Sequence, residues 1–342
     1  MTIRAAPGRR PVLKFSSDRM SPLTAGRDWI RAAGAELTWQ GVAIEAELPS
    51  DVLTGYRALF QADLGTRLVF RDSELTIRAT EESLMADRTP VAFFRVVNDA
   101  QSRVLLGESV DTTRIVFDLQ DSIVRGEGGL IRVEAAATID VAIENCFLAV
   151  RSSALSVSGQ TQSPPLDAGV RMNLVRTTAY LAGGLCQMIH DDQRIFSLPV
   201  SVHSVAGIYV GAPGVSFVEQ TGVTTIDGAV ASFAWHGERN YYERFTDFWT
   251  IRSLDTAAPP LRLGFDRWKS FWGWEDEKQA VLDGVPWAEE LPLPDAPITE
   301  HVPDRYRLID PQLDDAALGV TGEIGCDLAD RRPFESESGE SE

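Results

Sequence analysis

His190-Asp191-Asp192, with Arg194 close behind, is the most polar short cluster in the chain. A histidine beside carboxylates can serve as a general base whose ring a carboxylate orients. The same residues directly follow an apolar run, Leu185 to Ile189, where a solvated turn between two strands would also place them. No serine or cysteine nucleophile falls beside the cluster by spacing alone, so the turn is the reading adopted. His203, His236 and His301 are scattered, and no His/Cys/carboxylate spacing points to zinc. Neither GxGxxG nor GxxxxGK[ST] occurs, so no phosphate-cradling loop of those kinds is expected. No cofactor, metal or catalytic residue is therefore assigned. The segment 265–277 (FDRWKSFWGWEDE) is the other candidate, because Trp272 and Trp274 could stack on sugar rings. Its Phe265, Trp268, Phe271 and Trp272 fall at helical spacing, which favours a buried cap over an exposed platform.

The elements that must position these residues come from a repeat. Apolar residues two apart are followed, three positions on, by a small or polar residue and then another apolar one. The copies are Leu37-Trp39-Val42-Ile44, Leu68-Phe70-Ser73-Leu75, Phe117-Leu119-Ser122-Val124, Val141-Ile143-Cys146-Leu148 and Met172-Leu174-Thr177-Ala179. The gap from Phe70 to Leu119 is wide enough for two units, with Val91–Val97 as the missing strand. Twelve residues past the last three anchors stand Ile131, Leu155 and Cys186, each central to another apolar run. Each unit therefore reads as strand, sharp bend, short strand, turn, strand. Period-two alternation turns one face inward, and a unit this short must coil and stack on the next about 4.8 Å away. The fold expected is all-β, a single right-handed parallel β-helix with an irregular, partly helical C-terminal extension. Cys146 occupies the coil position of Ser73, Ser122 and Thr177, which marks an inward stack of small side chains and not a reactive thiol.

IENCFLAV (143–150) and VFDLQDSIVRG (116–126) resemble the coil repeats of pectate-lyase-like right-handed β-helix proteins. Over roughly residues 2 to 332 the chain is most similar to bacterial β-helix regions found alone or C-terminal to Ser/Thr protein kinase domains. The opening 2–15 looks like a coil already under way, and 307–328 resembles the degenerate end of such a solenoid. Relatives of this shape often cleave acidic glycans, which implies clustered carboxylates holding Ca²⁺ and a basic residue taking a proton. The outward acids here are Asp118, Asp140 and Glu144, and they do not converge. Asp140 and Glu144 stand four strand residues apart, or about 13 Å, too far to share one ion. Asp140 instead faces Arg171 on the next coil. The Asn-Thr-Asp and Gly-His-Gly signatures of galacturonan hydrolases are absent, as are the HRD and DFG motifs of a kinase.

Composition bounds the partners. The chain has 342 residues with 44% apolar content, enough for a sizeable core, and a net charge of −18. Residues 265–342 hold 20 acidic and 7 basic side chains, leaving only −5 on the rest. No basic stripe is available for phosphates, so nucleic acid is not an expected partner. No apolar run reaches the length of a membrane span, and no apolar core of a secretory signal opens the chain, making the cytoplasm the default expectation. The organisation expected is 1–235 solenoid, 236–332 C-terminal cap and 333–342 disordered acidic tail. Tyr241, Phe245 and Phe248 sit at helical spacing within that cap, although a strand over 248–251 is also compatible. The function expected is a non-catalytic interaction or display module for an unknown protein or glycan. The alternatives are a carbohydrate-active enzyme, with its site in the coil insertions 78–90 or 159–168, and a glycan-binding module.

Overall fold

In Thr138–Glu144, Ile139, Val141 and Ile143 are buried while Asp140, Ala142 and Glu144 face outward, the alternation that a half-buried strand requires. A computed structural model of the chain describes residues 1–15, 28–48, 58–79, 91–97, 114–223, 226–255, 257–273, 276–294, 296–310 and 324–328. Strands of this kind assemble into three sheets of nine strands each. The first sheet runs in chain order through Thr2–Arg4, Glu36–Gln40, Arg67–Arg71, Arg114–Gln120, Thr138–Glu144, Gly169–Val175, Val200–Val205, Phe233–Glu238 and Glu277–Lys278. The second runs from Val12–Phe15 to Val281–Leu282, and the third from Ile30–Ala32 to Leu261–Leu263. Neighbours pair in parallel, except that Leu261–Leu263 lies antiparallel to Asp247–Arg252. The chain is thus a parallel β-solenoid.

The expected register is the observed one. Trp39, Phe70, Leu119, Ile143 and Leu174 stand opposite one another on successive first-sheet strands. Ile131, Leu155 and Cys186 do so in the third sheet. What holds this register is a bend of one left-handed residue between the first and second sheets: Asp72 (φ 50°), Asp121 (φ 48°), Asn145 (φ 49°), Arg176 (φ 46°), Ala206 (φ 54°) and Arg239 (φ 54°). Each costs about 1 kcal/mol in a non-glycine residue. The bend is repaid by ladder bonds such as Asn145 N–H to Val175 O at 2.9 Å. The residue after the bend points inward. Ser73, Ser122, Cys146 and Thr177 are all buried, and the hydroxyls of Ser73 and Ser122 donate to the carbonyls of Arg71 and Gln120 at 2.8 and 2.7 Å. Burial also holds the thiols of Cys146 and Cys186 above their ordinary pKa, as expected of packed and not reactive cysteines.

Four expectations need correction. Val91–Val97 does not supply an extra first-sheet strand. Ala92–Val96 lies in the third sheet between Ala58–Ala62 and Gly129–Val133, and Arg67–Arg71 pairs directly with Arg114–Gln120, so one coil fills the gap. The segment 241–251 forms no helix. Tyr241–Glu243 and Asp247–Arg252 are strands, because a left-handed Arg244 (φ 66°) turns the chain and parallel partners exist on the coil before. Coils continue past the expected boundary at 235, to Val281–Leu282. Lastly, residues 307–310 and 324–328, the described parts of 307–328, add no strand to the three sheets. After Leu282 the chain doubles back along the outside of the second sheet.

That return strap explains an anomaly in the second sheet, whose outer face is apolar where a solvated face would be polar. Phe147, Ala149, Tyr180 and Val210 are covered by Leu291, Ile298, Tyr306 and Leu328. Having no ladder partners, the strap's carbonyls accept from side chains instead: Arg244 to Pro292 (3.2 Å), Tyr180 to Pro294 (2.7 Å), Arg151 to Ala296 (3.4 Å) and Arg125 to Thr299 (3.2 Å). These partners lie on successively earlier coils, so the strap runs towards the N-terminal end. The expected tail at 333–342 lies outside the described residues.

Candidate functional site

The loop after Cys186–Ile189 carries the sequence candidates. Asp191 does not orient His190. Its carboxylate accepts from the backbone N–H of Gln193 and Arg194 at 3.0 and 2.8 Å and from the Arg194 guanidinium at 2.8 and 2.6 Å, folding the turn on itself. Those bonds hold the Asp191 carboxyl below its usual pKa. Asp192 is exposed. The solvated-turn reading therefore describes both acids.

His190 behaves differently, since its ring is only 5% exposed. Nδ1 stands 3.2 Å from the carbonyl of Thr221, an acceptor, so Nδ1 carries the hydrogen and Nε2 accepts from Ser197 Oγ at 3.0 Å. Burial lowers the His190 pKa and keeps the ring neutral. Serine, neutral imidazole and an orienting carbonyl are two-thirds of a nucleophilic site. The remaining third, donors for a developing oxyanion, is spoken for nearby: Gly159 N–H bonds Ile189 O at 2.7 Å, and Gln160 and Phe196 exchange backbone bonds at 2.8 and 3.1 Å. Ser197 escaped the sequence reading because only the closure of the loop brings it back to His190.

The outer face of the first sheet holds the other acids, and arginines occupy Asp118 and Asp140, whereas Glu144 is exposed and forms no ion pair among the described residues. Asp118 accepts from Arg71 at 2.7 Å and Arg67 at 3.3 Å. Asp140 is bound by Arg171 at 2.8 Å, as the column order implied, and also by Arg114. Among the described residues no group of three His, Cys, Asp or Glu side chains could hold a metal ion. Further along the same face Asn173, His203 and His236 stand in register, and His236 Nδ1 lies 2.7 Å from Asp276 Oδ1. No family model, curated protein or solved structure matches the chain. Geometry alone therefore assigns the residues.

At the C-terminal end the aromatic segment forms α1 (Phe265–Trp272), the helix expected there. Trp268 is fully buried against Trp235 and Trp249, and Trp272 is half-buried with its ring stacked on Trp249 at 5.5 Å. An indole stacked on a neighbouring indole is not free to carry a sugar; Trp274 lies outside the described residues. Beneath the helix sits a carboxylate that the sequence reading missed. Glu277, 1% exposed, accepts from the indoles of Trp268 (2.9 Å) and Trp235 and from Tyr242 Oη (3.2 Å). Burial outweighs those bonds and pushes its pKa up to about 7. None of the seven described tryptophans is exposed, so intrinsic emission should be blue-shifted and resist acrylamide quenching until the chain unfolds. Red-shifted emission that responds to an oligosaccharide would restore the platform.

Proposed function

We propose that the chain is a right-handed β-helix of the pectate-lyase-like kind and acts as a non-catalytic interaction module, with the outer face of the first sheet as its contact surface. One observation carries this reading. Two of the three outward carboxylates that a glycan lyase would commit to calcium are each neutralised by two arginines, Asp118 by Arg67 and Arg71, and Asp140 by Arg114 and Arg171, while Glu144 stands about 13 Å along the strand from Asp140. The strap already covers much of the second sheet's outer face, and of the two remaining sheets the first carries these arginine–carboxylate pairs along its outer face. A β-helix region attached to a signalling kinase fits this description, the partner being an unknown protein. Incubation with a panel of uronate and neutral polysaccharides should release neither unsaturated nor reducing ends. Turnover that disappears on replacing Asp140 or Asp191 would overturn the proposal.

An enzyme reading keeps one observation on its side, the contact of Ser197 with a neutral His190. A fluorophosphonate probe separates the two readings. The module reading expects no adduct on Ser197, whereas labelling that His190→Ala abolishes would make the site an acyl-transfer centre.

A further inference from the structure

The last described stretch, 324–328, runs down the column of left-handed bends. Gly325 N–H bonds Ala206 O at 2.8 Å, Cys326 N–H bonds Thr178 Oγ1 at 2.9 Å, and Asp327 N–H bonds Asn145 Oδ1 at 2.7 Å. Three consecutive residues thus step over three successive coils, always towards the N-terminal end. Continued in that direction, the column presents first two acids, Asp121 and Asp72, and then Gly41 and the turn of the first coil. At that turn lies an open cleft of about 340 Å³ lined by Arg4, Arg9, Arg10, Gly41 and Asp72. All three arginines are exposed, and Arg4 and Arg9 form no ion pair among the described residues.

The charges ahead of 328 are Asp330, then the paired Arg331 and Arg332, and then ESESGESE (335–342), with four glutamates and no base. After Asp330 they follow the order of the column with opposite sign. The first fifteen residues carry four basic side chains and no acid, in a chain of net −18. From the coil of Asn145 to the first coil is four steps of about 4.8 Å, roughly 19 Å. Residues 328–334 can span up to about 24 Å. The reach therefore delivers residue 335 to the first coil. We infer that the arginine cleft of the first coil is a binding site for an acidic peptide, and that its occupant is the chain's own segment 335–342. Docked there, the segment would cover the end of the solenoid where Thr2–Arg4 and Val12–Phe15 pair with only one neighbouring strand among the described residues.

Three lysines make the test possible in the unaltered full chain. Lys14 lies on Val12–Phe15 just past the cleft, while Lys269 and Lys278 belong to the opposite end. A water-soluble carbodiimide activates a glutamate carboxyl, and a lysine amine in contact displaces the activated oxygen to form an amide. Peptide mass spectrometry should find 335–342 joined to Lys14 at least tenfold more often than to Lys269 or Lys278. The link should vanish in about 1 M NaCl, where screening reaches only about 3 Å. It should also vanish when Arg4, Arg9 and Arg10 are all changed to Glu, on exposed positions where the urea midpoint reports that folding is intact. Mixing isotope-labelled and unlabelled chains separates in-chain links from links between copies. Equal coupling to all three lysines, coupling indifferent to salt and charge reversal, or links only between copies would each overturn the inference.

Discussion

Ile143→Asp should leave no folded protein. Ile143 is 1% exposed and stacked between Leu119 and Leu174 in the first sheet. A carboxylate there would be buried with no cation and no donor, at a cost of several kcal/mol. That is comparable with the whole stability of a domain, about 5–15 kcal/mol. The perturbation also propagates, because each coil's inward row is the floor of the next. Ile143→Val, which removes one methyl, should cost only about 1 kcal/mol. Arg171→Ala, on the outer face of the next coil, should cost under about 1 kcal/mol. Its guanidinium is exposed, and Asp140 keeps Arg114 as a partner. Urea midpoints of the three variants check this. If Arg171→Ala proved as damaging as Ile143→Asp, the inward and outward faces would be misassigned.

Between about pH 4.5 and 6.5 the contributions of two buried groups to stability should run in opposite directions and nearly cancel each other. Glu277 is held by burial at about 7, above its usual 4.5, so the folded state keeps a proton that the unfolded chain gives up. Its contribution is full below pH 4.5 and is lost as pH rises through about 7, a swing of about 3 kcal/mol. His301 behaves inversely. Its side chain is buried and stacked on Tyr180 at 3.8 Å; Nδ1 meets Tyr306 Oη at 2.6 Å, while Nε2 has no partner among the described residues. Burial first, then Arg151 and Arg244, lower its pKa to about 4. Its contribution is full above pH 6.5 and is lost as pH falls through about 4, again by about 3 kcal/mol.

Single variants should expose each half. Glu277→Gln should make stability rise with pH across that window, and His301→Phe should make it fall, each by about 3 kcal/mol relative to the unchanged chain. Comparing profiles removes the groups common to all three proteins. Variant profiles parallel to the parent's would show that neither group titrates as placed.

The solenoid was legible in the sequence because its causes are local. Alternation fixes which side chains point inward, and a bend of constant length repeats the offset from Trp39 to Ile44 in Leu174 to Ala179. The inward row of Ser73, Ser122, Cys146 and Thr177, the outward pairing of Asp140 with Arg171 and the helix at Phe265–Trp272 all follow from spacing of this kind. Where local spacing was ambiguous the sequence misled. Val91–Val97 alternates as well in the third sheet as in the first, and only its partners Ala58–Ala62 and Gly129–Val133 decide between them.

The chemistry depended on tertiary structure, because its groups meet across coils or across the fold. Glu277 finds the Trp235 indole 42 residues away, and Arg151 finds the carbonyl of Ala296 145 residues away. One warning did stand in the sequence: Phe147, Tyr180 and Val210 are apolar at outward positions, a face that has to be covered. Which segment would cover it had no local signature, for a strap without regular structure is specified by the surface it lies on. His190 and Ser197 meet only because the turn held by Asp191 and Arg194 closes. Sequence determined the coil and the side on which each residue sits; distance along the chain hid which residues on those sides would touch.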